Sequence, residues 1–151
     1  MCVKINTINF NDWVFMKRIF SISIWLIIFG NMAFADDLKN CNENIFSGDE
    51  AFDVGLELLD YSKELHAKAQ SNFGSSDEKA CSILDDAYRY FTETIASFDK
   101  AELYFDKALE FCLGKSSFYS IEMRESSSKF QKKSEKARSQ VWADLFYNCP
   151  Y

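Results

Sequence analysis

The side chains best suited to chemistry in this sequence are five cysteines, Cys2, Cys41, Cys81, Cys112 and Cys149, and a single histidine, His66. No two cysteines form a C-x-x-C pair. A zinc ribbon, a thioredoxin-type redox pair and a c-type haem attachment all need their sulfurs close together in sequence, so each lacks its signature. His66, between Leu65 and Ala67, could ligate a metal or haem only with a distant second donor such as Met123. A surface or boundary position is the simpler expectation. Asp85 and Asp86 are adjacent and point to different sides of a helix, which makes a poor acid–base pair. There is no Ser-His-Asp signature, nucleophile elbow or phosphate loop. No catalytic residue, metal or cofactor is expected, and the chain is read as a non-enzyme.

Disulfide formation is then the chemistry left to the cysteines, and it depends on compartment. Residues 16–35 read MKRIFSISIWLIIFGNMAFA. Lys17 and Arg18 precede an apolar run from Ile19 to Phe29, and Ala33-Phe34-Ala35 has the small-x-small pattern of a signal-peptidase site. The run is shorter than the roughly 20 residues that cross a bilayer. A cleaved leader of bacterial style is expected at 16–35, with 1–15 an upstream extension outside the fold. The mature chain, 36–151, is expected to be one helical domain without a transmembrane span, periplasmic or secreted. Its four cysteines, an even number in an exported chain, imply two disulfides.

The elements that must position those cysteines are helices. Glycines after Gly55 occur only at Gly74 and Gly114, in two serine-containing loops, and Pro150 is the sole proline. Three segments without breakers lie between these loops, at about 49–72, 77–113 and 117–147. Ser47 with Glu50 reads as a capping box for the first, and Ser76 or Asp77 as a cap for the second. In the second segment Cys81, Tyr88, Ile95, Glu102 and Leu109 fall at heptad position a. Leu84, Phe91, Phe98, Phe105 and Cys112 fall at d, and small residues fill g at Ala87, Thr94, Ala101 and Ala108. This repeat predicts one unbroken central helix in a left-handed bundle.

Such a helix would hold Cys81 and Cys112 roughly 45 Å apart, far beyond the roughly 7 Å that a disulfide allows between Cα atoms. Short loops give an all-α, up-down-up three-helix bundle. Cys41 then meets Cys112 at one end, and Cys149 meets Cys81 at the other. A break near Ser97–Asp99 would instead make a hairpin with Cys81–Cys112 and Cys41–Cys149 bonds. The stretch KAELYFDKALEF resembles the second helix of a tetratricopeptide repeat, with Ala101, Phe105 and Ala108 at the small-aromatic-small spacing. That resemblance implies the hairpin. It covers a dozen residues, has no second copy and shows no period of about 34 residues, so it is read as a shared packing pattern.

The remaining candidates are surfaces. Asp53, Glu57 and Asp60, with Glu50 and Glu64, form an acidic stripe at helical spacing, and Lys129, Lys132, Lys133 and Lys136 form a basic one. Tyr90 and Tyr104 lie at position c with Ile83 and Phe111, as an aromatic stripe for a partner or for the third helix. Glu102 interrupts the a positions, as a register residue, a cation anchor or a seam-edge acid. Ser127 and Ser134 fall where the third helix should be apolar, so that region is expected to be loose or completed by a partner. The net charge of −6 argues against nucleic acid. The expected function is protein binding in the cell envelope: an adaptor, an inhibitor or immunity-type protein, or an assembly accessory. The alternative is a carrier of a small apolar or haem-like ligand. The sequence leaves the oligomeric state open.

Overall fold

The computed structural model describes the backbone of residues 10–149 and the side chains of residues 35–149. The expected extension at 1–15 and the leader at 16–35 lie almost wholly outside the described side chains. The chain divides into two compact units, Met1–Lys39 and Asn40–Tyr151. Three helices follow in order: α1 (Phe10–Asn72), α2 (Asp77–Phe111) and α3 (Lys115–Asn148). No strand occurs among the described residues. The second unit is the expected up-down-up bundle, with α2 at its centre.

Contacts fix the direction of each helix. Gly48 and Cys41 of α1 meet Phe105 and Cys112 of α2, while Gly55 meets Phe98. Rising numbers on α1 therefore meet falling numbers on α2, and the pair is antiparallel. Arg124 of α3 bonds Asp106 of α2, and Cys149 bonds Cys81, so that pair is antiparallel too.

The core rests on size complementarity at a seven-residue step. α2 buries Leu84, Phe91, Phe98 and Phe105 on one row and Ala80, Ala87, Thr94, Ala101 and Ala108 on the next. α1 answers with Cys41, Gly48, Gly55, Ser62 and Ala69, all buried. α3 answers with Ser120, Ser127, Ser134 and Val141, each fully buried. Small residues on both flanking helices leave room for the phenylalanine column of the middle one. Burying each ring stabilises the fold by about 1.5–3 kcal/mol. The serine hydroxyls need no partner on another helix. Ser120, Ser127 and Ser134 donate to the carbonyls of Ser116, Met123 and Phe130, at 2.8–2.9 Å. With its hydroxyl satisfied in this way, a buried serine acts as a spacer scarcely larger than alanine.

Three expectations change, and the competing hairpin falls away. Ser47 does not cap a helix: α1 is already helical before it, because Cys41 and Gly48 continue the small row against α2. Ser76 is the N-cap residue of α2 but makes no side-chain cap bond; Asp77 instead accepts the Gly74 N–H at 2.9 Å. The buried rows of α2 are d and g, and the a residues Tyr88, Ile95, Glu102 and Leu109 are half-buried. Small g residues let α2 sink toward its neighbours on that side, which rotates the seam away from a. The hairpin implied by the repeat-like stretch is absent, since α2 runs unbroken through Ser97–Asp99.

Both disulfides pair as the long helix requires. Cys41–Cys112 has a Cα separation of 5.0 Å and Cys81–Cys149 one of 5.7 Å. Each ties one end of α2 to a flanking helix.

Candidate interaction surfaces

Because the d and g rows of α2 fill the core, every other candidate residue is left at a helix boundary or on an outer face. Asp53, Glu57 and Asp60 are exposed on α1, about 180° around the helix from its small row. Asp60 accepts from Lys63 of the next turn at 3.0 Å. Both partners are largely exposed, so this pair contributes little to the fold.

Tyr90 and Tyr104 have different neighbours. Tyr90 is half-buried against Tyr61 of α1, ring edge to face with centroids 4.8 Å apart, and the Arg89 guanidinium lies 4.9 Å from its centroid. Tyr104 sits between the ammonium groups of Lys100 and Lys107, at 5.8 and 5.7 Å. With Ser47, Glu50, Ala51, Val54, Ser97 and Lys100 it lines a groove of about 180 Å³ between α1 and α2. One end of the acidic stripe and one aromatic candidate therefore do meet. Glu102 is half-buried and close enough to strengthen the positive charge of Arg124. That guanidinium is held above its ordinary pKa first by its 2.9 Å hydrogen bond to Asp106.

Lys129, Lys132, Lys133 and Lys136 are all exposed on α3. With Glu125 and Ser128 they line an open cavity of about 560 Å³. Lys133 lies 5.1 Å from the centre of the Phe130 ring. Among the described residues no ion pair joins this stripe to the acidic stripe of α1.

His66 is a boundary residue that links two helices. Its Nε2 lies 2.7 Å from Asp144 Oδ2 of α3 and 3.3 Å from the Gln70 amide nitrogen. Met123 packs elsewhere, on the cluster of Ala51, Ala101 and Phe105. Among the described residues no group of histidine, cysteine and carboxylate side chains could hold a metal ion. A second cross-link joins the same helices nearer the other end. The Tyr119 hydroxyl donates to Asp49 Oδ1 at 2.6 Å. Partial burial, then this bond, then the negative charge of Asp49, Asp53 and Glu122 push the phenol up to about 12.

One exposed aromatic cluster, at the end of α3, is not among the residues singled out from the sequence. Trp142 and Phe146 stack with centroids 5.4 Å apart and planes at 18°, and Tyr147 packs edge-on against Phe146 at 5.3 Å. Trp142 and Phe146 are each 52 % exposed and Tyr147 81 %. In the sequence the end of α3 from Val141 to Phe146 is simply a strongly apolar stretch. Only Val141 of that run is fully buried. Beside the stack, Tyr88, Arg138, Ser139 and Trp142 line a groove of about 230 Å³ between α2 and α3.

No helix among the described residues is long and apolar enough to cross a membrane. The chain matches no protein-family model, no curated protein and no solved structure.

Proposed function

We propose that the protein is a small exported helical module that binds another protein in the periplasm or outside the cell, as an adaptor, an inhibitor or immunity-type protein, or an envelope-assembly accessory. Two disulfides suit an oxidising compartment, and the leader-like segment at 16–35 supplies the route. The observation that carries the binding role is the stack of Trp142, Phe146 and Tyr147 left in water beside a core that is already filled. Exposed aromatic groups of this kind mark contact surfaces more often than they serve a monomer. The carrier alternative needs room between the helices, where Phe91, Phe98 and Phe105 are fully buried. Nothing in that packing favours it over protein binding.

The test is affinity capture from envelope extracts of the native host. The bait is the wild-type chain, compared with a variant reversing Asp53, Glu57 and Asp60 to Lys and with a variant replacing Phe146 and Tyr147 by Ser. A partner that is retained by the wild type and lost by either variant supports the module. Catalytic turnover abolished by changing one side chain would refute it.

A further inference from the structure

We infer that the groove at Tyr88, Arg138 and Trp142 docks a carboxylate-bearing apolar segment of the partner protein; this rests on the protein-binding reading above. The first observation is an unanswered guanidinium. Of the three described arginines, Arg89 and Arg124 bond Asp86 and Asp106 at 3.1 and 2.9 Å. Among the described residues no carboxylate reaches Arg138. Glu135, three positions earlier on α3, is exposed and not bonded to it. Arg138 is half-buried, with its guanidinium carbon 5.9 Å from the centre of the Tyr88 ring. A planar group with five donors, placed against a ring and partly out of water, is prepared for a two-pronged bond to a carboxylate.

The second observation is the wall beside it. Trp142 borders the same groove and continues through Phe146 to Tyr147 along about 7.5 Å of helix. That length exceeds what a single small anion would cover, and the rings gain by losing water to an apolar neighbour. Among the described residues Arg138 is the sole charged one lining the groove, although the chain as a whole carries −6. An acidic group flanked by apolar side chains satisfies both features at once. Tryptophan, tyrosine and arginine are also the residues on which binding energy concentrates at protein interfaces. The lysine stripe is a weaker candidate, because its ammonium groups are exposed, flexible and already hydrated.

The probe is a random peptide library displayed on phage and selected on the immobilised full chain. Enriched sequences are then synthesised and measured by fluorescence anisotropy. The expected peptides place Asp or Glu beside aromatic or branched aliphatic residues. Arg138→Gln should weaken them about tenfold or more, as should Trp142→Ser. Arg138→Lys should recover only part of the loss, since it keeps the charge and loses the fork. Lys132→Gln and Lys133→Gln should change affinity less than about twofold. Arg138 and Trp142 lie outside the buried core, and unchanged circular dichroism confirms that each variant is folded. Enriched peptides without acids, no enrichment, or acidic peptides indifferent to Arg138→Gln would each overturn the groove. A native partner lost on reversing Asp53, Glu57 and Asp60 but indifferent to Arg138→Gln would overturn the groove while leaving the module intact.

Discussion

Replacing Gly55 by alanine adds one methyl group, and the sign of its effect tests the packing scheme. On an exposed helix the change stabilises by about 1 kcal/mol, because alanine loses less backbone entropy and shields the helix better. At Gly55 the new Cβ would lie 2.8 Å from Phe98 Cε1, 2.9 Å from Cδ1 and 3.0 Å from Cζ. The ring cannot easily give way. Phe52 holds its edge at a centroid distance of 5.5 Å, Phe130 stacks on it at 5.5 Å, and Phe98 is fully buried. Overpacking of this kind costs about 1–3 kcal/mol, which outweighs the helix gain over most of its range. The expected net loss is about 1 kcal/mol and at most about 2 kcal/mol, or roughly a fivefold and at most a thirtyfold fall in the folding equilibrium constant. Urea denaturation followed by circular dichroism measures it directly. Phe98→Leu removes the opposing ring edge, so the double variant should be more stable than the sum of its single losses, and a double-mutant cycle gives that coupling. A Gly55→Ala protein more stable than wild type by the full exposed-helix gain of about 1 kcal/mol would show that α1 does not approach α2 through its small row. The account of the core would then fail.

Mutating Cys41 and Cys112 together to Ser opens a loop spanning 71 residues and should cost about 4 kcal/mol in the chain-entropy model. In the wild-type protein, non-reducing peptide mapping should recover only Cys41–Cys112 and Cys81–Cys149, and a Cys81–Cys112 peptide would contradict the long α2. Tyr119, raised to about 12 in the folded protein, holds its proton more tightly than the unfolded chain, whose tyrosines titrate near 10. Its contribution to stability is complete below about pH 10 and is lost as pH rises through about 12. Partial exposure (38 %) makes the effect small, so the check is the difference in alkaline unfolding between wild type and Tyr119→Phe, with Asp49→Asn lowering the phenol's midpoint in ultraviolet titration.

The bundle was legible because one helix carries nearly all of the periodic signal. Leu84, Phe91, Phe98 and Phe105 repeat at seven without interruption, and helix length alone then forbade a Cys81–Cys112 bond. The partner rows were harder to read. Cys41, Gly48, Gly55, Ser62 and Ala69 repeat just as strictly, yet small residues carry little hydropathy, and Gly55 registers only as a weakness in a helix. Ser120, Ser127 and Ser134 read as polar because sequence does not reveal that each hydroxyl is spent on its own helix. The surfaces were least legible. Trp142 and Phe146 look like core residues until the serine row shows which face of α3 is inside.

That last point ties the core to the surface. Helices that meet through glycine, alanine and serine can come close, so only the d and g rows of α2 fit between them. The a and c residues, which a looser bundle would bury, are pushed to the helix boundaries. Tyr88, from the a row, becomes a wall of the groove beside Arg138, and Tyr104, from the c row, a wall of the groove beside Glu50. The same small rows that make the core tight therefore create aromatic-lipped grooves on both sides of α2. Enlarging a small residue should disturb them together: a Gly55→Ala protein that remains folded should show altered environments for Tyr88 and Trp142 as well as for Phe98. Heteronuclear spectra with the Trp142 indole assigned would report this. An indole signal unmoved while Phe98 shifts would separate the grooves from the core and leave them as independent features of the surface.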